Sequence, residues 1–126
     1  MAGVKVQAGD ALIVRWGRWT LRKEIGPFVP GHEGISAGLH PSVIAWLKQR
    51  DVAILVGESA HTVAPSDGSV HDMAINVLGM QIIDDASLDA LAEAAAARKR
   101  WEFLFTVAPL PIQGGTGSPV NPIATF

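Results

Sequence analysis

One histidine and two adjacent aspartates are the side chains of this sequence best placed to do chemistry. His71 stands at the start of a helical apolar stripe, directly after a polar stretch over residues 58–69. Asp84 and Asp85 close a short apolar run at 80–83. In α/β sheets, ligands gather beyond the carboxyl ends of strands. An imidazole and a carboxylate arriving there from neighbouring elements could share a proton or a metal ion. The plainer alternative is that His71 only opens its helix and that Asp84 or Asp85 caps the next one. Spacing alone leaves both open.

Other polar residues carry weaker signals. Glu58 follows an apolar run and Gly57, so its carboxylate can line a cleft, although a structural role fits the position as well. His32, Glu33, His40 and His61 are dispersed over two loops, match no metal-ligand spacing and read as surface residues. The Gly114-Gly115-Thr116-Gly117-Ser118 turn lacks the lysine of a phosphate-binding loop and runs into Pro119 rather than a helix. It reads instead as a tight turn whose Thr116 and Ser118 hydroxyls face a cleft.

That turn belongs to the last eighteen residues, 109–126, which hold four prolines and three glycines. Proline pins φ and glycine permits positive φ, so their alternation dictates one backbone path. Leu110, Ile112, Val120, Ile123 and Phe126 along that path look suited to burial, as the wall of a site or core.

A chain of 126 residues can bury a core as one domain over residues 1–126. Apolar residues make up 48%, charged residues 17%, and the net charge is −2, which gives no electrostatic reason to bind nucleic acid or an anionic membrane. The basic cluster Arg98-Lys99-Arg100 sits where a helix C-terminus attracts cations. There is no cysteine, hence no disulfide or thiolate chemistry. No apolar run approaches the ~20 residues of a membrane span, and residues 1–7 show no signal-peptide pattern. The expectation is a soluble, cytoplasmic protein.

The elements that must position these groups follow from apolar periodicity. Residues 11–16 read as a buried strand. Residues 17–40, with five glycines and two prolines, read as a long loop with at most a helical turn. A helix over 41–50 leads directly into a strand at 52–56. Val70, Met73, Ala74, Val77 and Leu78 form a helical stripe, with Gly79 placed to end it. A strand at 80–83 precedes a helix from Ser87, its expected cap, to about Arg98. Residues 101–107 alternate as a strand. Strands interleaved with helices argue for an α/β or α+β fold with a mixed sheet.

Four segments, 9–15, 46–57, 70–84 and 103–124, together resemble the cyclase family of metal-dependent hydrolases, which includes kynurenine formamidases and isatin hydrolases. The last carries the string Pro-Leu-Pro-Ile-x-Gly-Gly-Thr-Gly-Ser-Pro-x-Asn-Pro-Ile-Ala over residues 109–124. The resemblance implies a swivelling β/β/α fold, a small barrel-like mixed sheet flanked by helices, and assembly as a homodimer or larger homo-oligomer. It also implies a divalent metal, zinc or manganese, that activates water against an amide, formamide or lactam carbonyl. His71 matches the family histidine that opens the later helix. Asp84 matches a carboxylate that many members carry as the longer glutamate. Both are thereby implied as catalytic residues and metal ligands. The family's His-x-Gly-Thr-His-x-Asp metal motif does not occur in these 126 residues, so the chain resembles the C-terminal half of such an enzyme.

Two functions follow as expectations. One is an arylformamidase-like amidohydrolase acting on a small-molecule amide, with His71 as ligand or proton shuttle and Asp84 as ligand or general base. The other is a non-catalytic, self-associating module that keeps the fold without the metal site.

Overall fold

In the computed structural model, residues 3–27 and 37–126 are described; His32 and Glu33 lie outside them. Strands β1 (Ala11–Val14), β2 (Ile54–Gly57) and β3 (Gln81–Ile83) form a parallel sheet in the order β1-β2-β3. Parallel neighbours need crossover connections, and helices supply them. Helices α1 (Arg18–Ile25) and α2 (Val43–Arg50) lie between β1 and β2, α3 (Val70–Asn76) between β2 and β3, and α4 (Asp89–Arg98) after β3. Strands β4 (Leu104–Thr106) and β5 (Ile123–Thr125) pair antiparallel as a separate ribbon. The fold is α/β, and parallel and antiparallel pairing occur in two open sheets rather than in a closed barrel.

The register explains why the sheet's strands are apolar without alternation. Leu12, Leu55 and Ile82 are lateral partners, and all three join the core cluster with Leu47, Val52, Val70, Ala74 and Met80. The next row, Ile13, Val56 and Ile83, points to the opposite face, where Val56 is also buried. A strand covered on both faces has no solvent side to mark with polar residues. Helix α2 closes on Leu47, and α3 closes on Val70 and Ala74.

Several expectations need correction. A helix, α1, stands where a loop was expected at the start of 17–40. Its ends are set by Gly17 and Gly26, both at positive φ, but its first N–H groups are satisfied from a distant part of the chain. Helix α3 stops at Asn76, so Val77 falls past its end and lies 70% exposed rather than completing the stripe. Ser87 does not cap α4; the cap position is Leu88, with no side-chain bond, and its side chain is buried instead. Residues 109–126 do not form a buried wall: of the five apolar residues expected to line it, Leu110, Ile112 and Ile123 are at least half exposed, and Val120 and Phe126 are half-buried. A two-stranded ribbon has two faces and too little sheet to cover either.

Candidate functional site

All three parallel strands run in one direction, so their carboxyl ends release chain on the same edge of the sheet. From β1 comes Trp16, from β2 come Glu58 and His61, and from β3 comes Asp84. Helix α3 adds His71, its second residue, close to the same edge.

Glu58 organises the first layer. It is fully buried, and its Oε2 accepts hydrogen bonds from the backbone N–H groups of Trp16 at 2.9 Å, Gly17 at 2.7 Å and Arg18 at 3.2 Å. These are donors that a helix start leaves without an intrahelical partner, and a carboxylate suits the positive end of the helix dipole. Arg18 then reaches back: its Nη1 donates to the carbonyl of Glu58 at 2.9 Å and pairs with the Asp85 carboxylate. Trp19 Nε1 donates to the Ala86 carbonyl at 2.7 Å, and Ala86 N–H donates to that of Gly57 at 2.9 Å. The turn after β3 is thus clamped by α1 and β2. Asp85, at φ 53, reverses the chain there. One carboxylate goes to Arg18, and its neighbour goes to the histidines.

Asp84 lies between two imidazoles. Its Oδ2 is 3.0 Å from His71 Nε2 in a hydrogen bond. Its Oδ1 is 3.0 Å from His61 Nε2, a charge-assisted contact off the straight line of a hydrogen bond. Burial pushes the Asp84 carboxyl up, but the polar contact and charge of His61, then those of His71, outweigh it and hold the group below its usual 3.8. His71 is one-third exposed, and its Nδ1 lies 3.8 Å from Asp72 Oδ1, beyond hydrogen-bond reach. The arrangement can orient an imidazole and move a proton: a carboxylate holding one ring nitrogen leaves the other to face a reactant.

The structure brings His71 and Asp84 together as the sequence suggested. It overturns the surface reading of His61, which is wholly buried beside Asp84. A lone histidine in a polar loop carries no mark of burial; the only local clue is Gly57, four residues before it, which leaves room for the ring. Glu58 is wholly buried rather than lining an open cleft: its Oε2 serves the start of α1, and its Oε1 has no hydrogen-bond partner among the described residues. His40 remains exposed, with its Nδ1 3.0 Å from Ser42 Oγ. Thr116 is exposed, and Ser118 Oγ accepts the Leu110 N–H at 2.9 Å, bracing its own turn rather than facing a cleft.

Among the described residues, the zinc or manganese that the resemblance implies finds no complete seat. Among the described residues no group of three or more His, Cys, Asp or Glu side chains is placed to hold a metal ion. The two Nε2 atoms converge on one carboxylate rather than on a common point outside it. A cleft of about 670 Å³ lies elsewhere, between α1 and the start of α4, with Trp19, Arg22, Lys23 and Asp89 among its lining residues and none of the imidazole cluster. Among the described residues no helix is long and apolar enough to cross a membrane.

No family model matches the chain, and no curated protein matches it. A solved structure does: a crystal structure described as that of a novel cyclase superposes with a TM-score of 0.86 and is 27% identical. The match covers 99% of this chain and 43% of that one, so the chain spans less than half the length of the cyclase it resembles. Strand order, crossover helices and the C-terminal ribbon therefore have their counterpart in that structure. The chain is cyclase-like, and its fold is a cyclase fold.

Proposed function

We propose that this chain supplies the acid–base part of a cyclase-type hydrolytic site acting on a carbonyl–nitrogen bond. The observation that carries this reading is the His71–Asp84 contact of 3.0 Å at the carboxyl edge of the parallel sheet. Asp84 accepts the Nε2–H of His71, and Nδ1 of His71 then takes a proton from water as the oxygen adds to the carbonyl. The same imidazolium returns the proton to the departing nitrogen, so that amide and water become acid and amine. The substrate class in best accord with the resemblance is a formamide or cyclic amide, arylformamides included.

Two donors fall short of the roughly three protein ligands a water-activating metal takes, so a resident cation would draw ligands from outside His71 and Asp84. The reading is tested by turnover of N-formylkynurenine and isatin by the purified chain, alone and with added zinc or manganese. Hydrolysis that disappears in both His71→Ala and Asp84→Asn supports it; turnover indifferent to both changes sinks it.

A second reading, a self-associating module without catalysis, draws on one observation. Leu104 and Ile123 stand 66% and 59% exposed on the same face of the β4–β5 ribbon. Self-association is compatible with either reading.

A further inference from the structure

His61 is a wholly buried polar side chain held against Asp84 by an unusual backbone conformation and close packing. It is a non-glycine residue at φ 61, a conformation that persists when the surroundings over-determine it. Its carbonyl accepts the Leu39 N–H at 2.6 Å, which ties the loop down on one side. Its ring lies against bare Gly57, where an added Cβ would come within 2.7 Å of Nδ1 and 2.8 Å of Cε1. The Trp16 ring meets it edge-on, with centroids 6.1 Å apart and planes at 84°. The imidazole has no exposed surface, and its Nε2 lies 3.0 Å from Asp84 Oδ1.

We propose that His61 is a positioning residue: it anchors one oxygen of Asp84 so that the other holds His71 Nε2–H and keeps His71 in the tautomer with Nδ1 free. A carboxylate gripped at a single oxygen turns about its Cβ–Cγ bond, whereas one gripped at both does not. Buried His61 holds that oxygen through its 3.0 Å polar contact, and one-third-exposed His71 is the group thereby aimed. The assignment rests on the reading of His71 as proton carrier, but its test does not depend on turnover alone.

In the full chain, the ring-nitrogen NMR shifts of His71 report its tautomer directly. The wild type and His61→Gln, whose amide Nε2 reaches the same oxygen, are expected to show the Nε2–H form. His61→Leu, with similar bulk and no donor, is expected to show a mixture, with kcat on an arylformamide falling about ten- to a hundred-fold and KM little changed. If the leucine variant does not fold, His61→Asn, whose donor stops short of Asp84, takes its place with the same expectation. A folded leucine or asparagine variant with the wild-type His71 tautomer overturns the positioning role, whatever the turnover. Wild-type chain without turnover but with the expected tautomer shifts overturns the hydrolytic reading and keeps the positioning.

Discussion

At the scale of the residue, Asp84 and Glu58 divide the work of two carboxylates on one sheet edge. Asp84 is held below its usual 3.8 by His61 and His71 against the opposing effect of burial. A carboxyl with a depressed folded pKa stabilises the fold above the unfolded value and loses that contribution as pH falls through the folded one. The Asp84→Asn variant should therefore be less stable than wild type at pH 7, with the gap closing as pH drops below 3.8. Urea midpoints at pH 7 and near pH 3 measure it; a gap that widens on acidification would refute the assignment. The contribution is modest, because Asp84 is 36% exposed and solvent screens it. Glu58 is different, being wholly buried and bonded to three backbone N–H groups. Glu58→Ala should cost about 1–3 kcal/mol in chemical denaturation, because it leaves part-buried donors without their acceptor. Amide exchange should show the loss concentrated in α1, and Glu58→Gln should recover part of it by keeping one acceptor oxygen.

At the scale of the element, β2 is the strand on which both the core and the site depend. Its middle, Leu55, is fully buried between Leu12 and Ile82, so Leu55→Ala should cost about 2–5 kcal/mol by leaving a cavity. Its end, Gly57, serves the site instead. A methyl there would lie 2.4 Å from Trp16 Cη2 and 2.7 Å from His61 Nδ1. Gly57→Ala should therefore displace both rings, costing about 1–3 kcal/mol by overpacking. It should also perturb the His71 ring-nitrogen shifts from a distance, a change Leu55→Ala should not produce. Helix α1 shows the reverse dependence. It buries none of its residues fully and leans on Glu58 at its start and on Asp89, which accepts from Lys23 at 2.8 Å and faces Arg15 at 2.9 Å. Those contacts, Lys23 foremost and then Arg15, hold the Asp89 carboxyl below its usual range.

At the scale of the whole molecule, the chain places a parallel sheet and its site on one side of the sequence and an apolar ribbon on the other. Leu104, Leu110, Ile112 and Ile123 are exposed together in the C-terminal segment, and open ribbon faces of this kind tend to be covered. Sedimentation equilibrium at micromolar concentration should find a homo-oligomer that Leu104→Lys with Ile123→Lys dissociates; a clean wild-type monomer would end this expectation. Elemental analysis should find the isolated chain holding well under one zinc or manganese ion per chain, given the incomplete donor set among the described residues. A stoichiometric ion lost on His71→Ala would show that the remaining ligands come together in a way the described residues do not display.

The sequence by itself determined the α/β alternation and carried the cyclase resemblance, and it offered the approach of His71 to Asp84 as one of two readings, because each rests on local signals. A helical stripe places His71 at a helix start, and an apolar run places Asp84 at a strand end, so a parallel crossover brings the two to one edge. Only the tertiary structure decided the rest. Helix α1 owes its start to a carboxylate 41 residues along the chain from Gly17, and His61 owes its burial to a missing side chain at Gly57 and the edge of Trp16. The C-terminal apolar residues show the converse: their pattern asks for burial, but burial needs a facing surface, and whether one exists is a property of the folded molecule rather than of the pattern.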